Sequence, residues 1–263
     1  MTLPDAAALA EAGLTLTIEG PLATVTLARP EVRNAQTPSM WRALAAIGAG
    51  LPGDVRVVVV RGAGASFSAG LDRTMLDPSR SGEGVETVAD LLTMSDEQMS
   101  ATIDDYQQGF TWLRDPRWVS IAAVQGYAVG AGFQLALSCD LRVVADDAQF
   151  CMKESALGLV PDLTGTKPLV EAVGYARALE ICATARMVPA DEAHAIGLAL
   201  AVVPGDRLEQ TVADLAGALT APLAGAVRET KALLQSAVWA DLDTQRRLER
   251  EAQGRRFREI AGG

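Results

Sequence analysis

Two apolar runs, VRVVVV at residues 55–60 and WVSIAAV at 118–124, constrain the fold more than any other feature of the chain. Neither alternates polar with apolar side chains, as a strand with one wet face would. A strand apolar on both faces belongs inside a sheet that is covered on both sides, the setting of parallel strands joined by helices. The chain supplies such helices. Residues 38–49 carry Pro38 in a first helical turn, 102–114 are helical in pattern, and so is most of the chain from about 168 onward. Segments 14–19 and 22–27 flank Gly20-Pro21 and predict an antiparallel hairpin, and further strands are predicted at 140–145 and near 200–203. The expected class is α/β. Amphipathic helices near 206–219, 222–238 and 241–258 end the chain, and the closing Gly-Gly reads as a frayed end. Residues 73–100 are the least regular stretch. Their Met75, Met94 and Met99 fit either an adaptable apolar lining or an ordinary surface loop.

Composition narrows the chemistry. The chain of 263 residues contains one histidine, His194, so a histidine-rich metal site is excluded and acid–base work falls to carboxylates or backbone dipoles. No metal site is expected. The formal charge of −10 argues against a nucleic-acid footprint, although a local basic pocket for a phosphate is compatible with it. Cys139, Cys151 and Cys182 are an odd, widely spaced set, which suggests buried thiols in a reducing compartment. No stretch approaches the ~18 apolar residues of a membrane span, and the first residues lack a secretory pattern. A cytoplasmic location without membrane insertion is the expectation.

Several motifs fail on inspection. Gly62-Ala63-Gly64 follows a buried strand, but Phe67 stands where a dinucleotide fingerprint needs its third glycine. No phosphate-binding G-x-x-x-x-G-K-[ST] loop is present. SFSAG resembles a nucleophile elbow, yet Ser66 occupies the first glycine position and His194 lies in a predicted helix. Two glycine-rich turns remain: Ser68-Ala69-Gly70-Leu71-Asp72 after the first buried strand, and Gly130-Ala131-Gly132 after the second. Small residues there leave backbone N–H groups uncovered, and the second turn opens a helix. Two such groups converging on one point would form an oxyanion hole, which suits a reaction passing through an enolate.

At this point the chain resembles the crotonase, or enoyl-CoA hydratase/isomerase, superfamily. The resemblance runs from about Leu14 to about Leu234. It rests on ARPEVRNA, ASFSAGLD, IAAVQGYAVGAGFQLALSCDLRVVA, AQFCMKESALGLVPDLTGT and GLALAVVP in that order. It implies a crotonase fold of repeated ββα units forming two sheets. A spiral core would span residues 1–200 and a helical trimerisation region residues 201–263. It implies homotrimers, often paired as hexamers, and a CoA thioester as substrate, with no separate cofactor. The backbone N–H groups of Leu71 and Ala131 would hold the thioester oxygen. Ala69, Gly70, Asp72 and Gly130 would shape the CoA-binding path.

Relatives that hydrate enoyl-CoA use two glutamates twenty positions apart. Here the first position is Gln134 and the second is Glu154. An amide cannot accept a proton, so efficient hydration by this chain is unexpected. A double-bond shift needs one carboxylate, and Glu154 meets that need. Asp162, eight residues on, matches the offset of a working aspartate in family dienoyl-CoA isomerases, or else caps the turn after Pro161. Isomerisation is thus the expected activity. Weak trans-2-enoyl-CoA hydration and non-catalytic acyl-CoA binding stand as alternatives. Trp118 replaces a usual proline, and no E-G-x-x-A-F helix is visible after GRRFREIAGG. Lys231 and Arg228 read either as phosphate partners or as ordinary exposed helix charges.

Overall fold

The structure is a computed structural model that describes residues 2–81 and 86–262. Gly82 and Gly84 of the irregular stretch lie outside the described residues. In chain order the elements begin α1 (Ala6–Glu11), β1 (Leu14–Glu19), β2 (Leu22–Leu27), α2 (Pro38–Gly50), β3 (Val57–Gly62), α3 (Val88–Leu91) and α4 (Asp96–Thr111). The centre of the chain holds β4 (Val119–Val124), β5 (Tyr127–Val129), α5 (Ala131–Ser138), β6 (Leu141–Ala145), β7 (Gln149–Cys151), α6 (Thr166–Val173) and α7 (Tyr175–Thr184). The remainder is β8 (Val188–Pro189), α8 (Ala190–Ala195), β9 (Ala201–Val203), α9 (Leu208–Thr220), α10 (Ala224–Ala237) and α11 (Leu242–Gly262).

The main sheet has six strands in the order β1-β2-β3-β4-β6-β9. The hairpin pairs Leu14 with Leu27, and every other neighbour in this sheet is parallel. The two apolar runs lie at its centre, and successive residues feed opposite faces. Val58, Val60, Ala122, Val124 and Val144 join the larger core with Leu44, Phe110 and Phe133. Val57, Val59, Ile121, Ala123, Val143 and Ala145 pack against Leu208, Val212 and Ala216 of α9. This double burial is why neither run alternates. Strand β9 and helix α9, beyond the expected division at residue 200, complete this sheet and cover it.

A smaller sheet, β5-β7-β8, forms a second layer. Single pairings of Ser68 with Ala128 and of Gln36 with Leu71 extend it toward the first glycine turn. Its strands are two or three residues long, too short to show a period in the sequence.

Three expectations are corrected. The strand expected at 55–60 runs over Val57–Gly62. Helix α4 starts at Asp96 instead of 102, because Ser95 and Gln98 form a reciprocal capping box, and after Thr111 it tightens into a 3-10 turn over Trp112–Arg114. In the irregular stretch, Met75 is buried while Met94 and Met99 are half-buried. Lys231 is neither a phosphate partner nor an exposed charge. Its Nζ is buried and donates to Asp115 O at 2.8 Å, Trp118 O at 2.8 Å and Asp140 Oδ2 at 2.6 Å. Asp140 also accepts from Ser120 N at 2.8 Å, so this one lysine ties α10 to the start of β4 and the end of α5. Arg228, by contrast, is exposed.

Removing the lysine leaves a carboxylate without its counter-charge. Lys231→Met should destabilise the fold by about 3 kcal/mol. Lys231→Met combined with Asp140→Asn should cost less than the sum of the two single changes, as read by urea unfolding.

Candidate active site

The first glycine turn is held from several sides. Ser68 N donates to Tyr127 O and Val129 N to Ser68 O, both within 3.0 Å. The Ser68 hydroxyl donates to Asn34 O at 2.7 Å, and Gln36 Nε2 donates back to that hydroxyl at 3.1 Å. Asn34 itself takes a left-handed φ of 55° and spans Ala63 O and Ser66 O with its side-chain amide. Ala69 N donates to Arg33 O at 2.8 Å. Gln36 N donates to Gly70 O at 2.7 Å and Asp72 N to Gln36 O at 2.8 Å. In a parallel pairing those bonds come from the neighbours of Leu71, so the Leu71 N–H points away from Gln36 and has no backbone partner among the described residues.

Glycine is required where the two turns meet. Gly70 has φ +90°, and a Cβ there would lie 2.4 Å from Val129 O and 3.4 Å from Ala131 N. A Cβ on Gly132 would lie 2.5 Å from Ser68 O. The approach places the Ala131 amide beside the Leu71 turn. Ala131 is the first residue of α5, and its N-cap Gly130 has no side chain to bind the free amides. Two such amides, one on the Leu71 turn and one at the N-terminus of α5, can hold an oxygen that gains negative charge.

Glu154 opens a short 3-10 turn after β7 and is 8% exposed. Its Oε1 accepts from Gln134 Nε2 at 2.6 Å. Gln134 Oε1 in turn accepts from Leu163 N at 2.9 Å and Gly165 N at 3.2 Å. Two backbone donors on one atom require it to be the oxygen, so the amide has one orientation. The other carboxylate oxygen, Glu154 Oε2, has no hydrogen-bond partner among the described residues. Burial lifts the Glu154 carboxyl above its ordinary range. The Gln134 hydrogen bond works against that rise, and the Asp162 charge adds to it. Asp162 is lifted by burial as well, and its main-chain oxygen accepts from Gln107 Nε2 at 2.6 Å. A Cβ on Gly130 would stand 3.4 Å from Glu154 Oε1, which sets the carboxylate against the start of α5.

Leu71, Gly70, Gly130, Ala131, Gln134, Glu154 and Asp162 are therefore gathered in one place. Asp72 is committed elsewhere. It pairs with Arg29 at 2.8 Å and caps the turn at Arg73–Leu76 through Thr74. Burial alone would raise its pKa, but the bonds from Thr74 and Arg29 outweigh that and hold it low. The parts the sequence reading missed are Asn34, Gln36 and Arg29, which brace the first turn. The pair Asn34-Ala35 in ARPEVRNA was their visible trace. His194 is exposed, with Nδ1 3.2 Å from Ala199 O. A cavity of about 660 Å³, lined in part by Ser138, Thr164 and Thr166, opens beside the residues that flank Gln134, and Glu154 does not line it. Among the described residues no cluster of three or more His, Cys, Asp or Glu could hold a metal ion. No helix among them is long and apolar enough to cross a membrane.

The arrangement has close counterparts. A family model described as enoyl-CoA hydratase/isomerase matches residues 17–260. A short-chain-enoyl-CoA hydratase of Clostridium acetobutylicum is 30% identical over 242 residues, which are 91% of this chain and 87% of that protein. A peroxisomal Delta(3,5)-Delta(2,4)-dienoyl-CoA isomerase of Arabidopsis thaliana is 34% identical over 184 residues, 69% of this chain and 64% of that one. The structure of a candidate enoyl-CoA hydratase from Thermobifida fusca YX in complex with CoA has a TM-score of 0.94 and 51% identity, covering 100% of this chain and 99% of its own. The same kind of protein from that organism, in complex with acetoacetyl-CoA, has a TM-score of 0.94 and 52% identity, covering 98% and 100%. The chain has the crotonase fold and belongs to the enoyl-CoA hydratase/isomerase family.

Proposed function

We propose that the protein moves the double bond of an enoyl-CoA thioester, with Glu154 as its single proton-transfer group. The observation that carries this reading is the commitment of Gln134. Its amide is spent on Leu163, Gly165 and Glu154, and it cannot accept a proton in any case. Glu154 Oε2 is left as the free basic atom. The thioester oxygen would sit between the N–H groups of Leu71 and Ala131. Glu154 takes a proton from the α-carbon, and the C–H electron pair becomes a new double bond as charge moves onto that oxygen. The same carboxyl then returns the proton at the γ-carbon, the dienolate collapses, and the double bond ends conjugated to the thioester. A carboxyl lifted by burial suits both halves, since the higher pKa makes it a stronger base toward the α-carbon and its acid form can still return the proton. Asp162 serves as a second carboxyl for dienoyl substrates, Ala69, Gly70 and Gly130 shape the CoA path, and Asp72 acts on that path only by holding the turn through Arg29 and Thr74. The complexes of the Thermobifida protein with CoA and acetoacetyl-CoA support a thioester ligand. Exposed Leu234, Val238, Trp239 and Leu242 support assembly into homotrimers or hexamers. The proposed setting is the cytoplasm.

A second reading, hydration of trans-2-enoyl-CoA, is favoured by the hydratase name of the Clostridium relative. The two readings separate on a panel of 3-enoyl-, 3,5-dienoyl- and 2-enoyl-CoA. Glu154→Gln should lower isomerisation of 3-enoyl-CoA by about 10²–10⁴-fold. Wild-type turnover in that variant would remove Glu154 from the mechanism. Gln134→Glu should raise hydration of 2-enoyl-CoA from a low level, and no gain would show that Gln134 does not limit it.

The acid limb of kcat/KM should lie above 4.5, the ordinary value for this carboxyl. The base must be ionised, and burial disfavours the ion. Gln134 donates to the anion and so lowers the pKa. Its loss in Gln134→Ala should therefore move the limb to still higher pH. A limb that stays in place or moves down would contradict the contact.

A further inference from the structure

Helix α5 presents Ala131 at one end, and a cation holds the other. Arg142, on β6, turns its partly buried guanidinium back onto the last turn of α5 and the residues that leave it. Nη1 donates to Ala136 O at 3.3 Å and Cys139 O at 2.9 Å, and Nη2 lies 3.4 Å from Asp140 O. Nε donates to Leu198 O at 2.6 Å, which ties the same group to the chain ahead of β9. All four bonds end on neutral carbonyl oxygens. The nearby Asp140 carboxylate attracts Arg142 but is itself paired with Lys231 at 2.6 Å, so Arg142, Lys231 and Asp140 together keep a net positive charge.

Removing a cation from water is costly unless its surroundings carry negative potential. The end of a helix does, because its last carbonyls lack intrahelical donors. A cation there caps those carbonyls and cancels the negative end of the helix. What remains along the axis is the positive end, at Gly130 and Ala131. Eight residues of helix span about 12 Å.

We propose that Arg142 is a positioning residue for the enolate chemistry: it fixes α5 by its last turn and strengthens the positive end at which Ala131 meets the substrate oxygen. The inference rests on the reading of Ala131 as an oxyanion donor given above. A unit charge about 15 Å from the developing oxyanion, at the effective dielectric of a protein, changes the rate by about three- to tenfold.

The test reads the carbonyl directly and needs binding but no turnover. Butyryl-CoA labelled with ¹³C at the thioester carbonyl is bound to the full-length protein, and its infrared carbonyl band is compared with that in solution. The wild-type complex should show a shift to lower frequency. Arg142→Met should lose a measurable part of that shift. With 3-enoyl-CoA its kcat should fall about three- to tenfold while KM stays within about twofold. Arg142→Lys, which keeps the charge, should recover most of both. Should Arg142→Met fail to fold, Arg142→Gln takes its place as a neutral donor. A folded neutral variant with the wild-type band and kcat overturns the role of Arg142 and leaves the oxyanion reading standing. A wild-type complex without any band shift overturns the oxyanion reading, and this inference with it.

Discussion

At Gly70 the main chain passes so close to β5 that a Cβ would lie 2.4 Å from Val129 O, and at Gly132 it passes as closely to Ser68. This contact of backbone against backbone is the constraint on which the site depends. The central strands β3 and β4 run side by side, so the turns that follow them emerge at the same edge. The small second sheet then zips them together through Ser68 and Ala128. Any side chain at the crossing would hold the turns apart, and the Leu71 and Ala131 amides would no longer share a target.

Around that contact the chain arranges charge with little waste. Glu154 is buried, which makes its ionised form costly, and among the described residues only one of its oxygens finds a partner. Gln134 supplies the one hydrogen bond and is itself held by the loop at Leu163 and Gly165. The loop, the helix and the carboxylate thus form one continuous chain of hydrogen bonds. Asp72 follows the opposite rule. Paired with Arg29, it stays ionised and structural.

The large elements were legible because they repeat a pattern. The hairpin and α2 match their expected positions to within a residue, and the apolar run at 118–124 maps onto β4. Helix α4 begins ahead of the expected 102: its first turn, Asp96-Glu97-Gln98, is polar and shows no apolar period, while the Ser95 and Gln98 capping box sets its start. Strands β5, β7 and β8 carry too few residues for any period. Lys231 looked like a surface charge because the groups that bury it, at Asp115, Trp118 and Asp140, lie more than ninety residues earlier in the chain. Leu71, Ala131, Gln134 and Glu154 were found through the resemblance and not through spacing alone. What the sequence could not show was which way the Gln134 amide points, since that is set by two backbone donors in a distant loop.

That amide has an evolutionary side. Glutamine and glutamate codons differ in their first base alone, so position 134 is a single base substitution away from a second carboxylate. The backbone would need no rearrangement, because the Leu163 and Gly165 donors would serve a carboxylate oxygen as well as an amide one. The obstacle is electrostatic: two carboxylates 2.6 Å apart could persist only by sharing a proton. A lineage crossing that step would therefore change the proton count of its site before it changed anything in its fold.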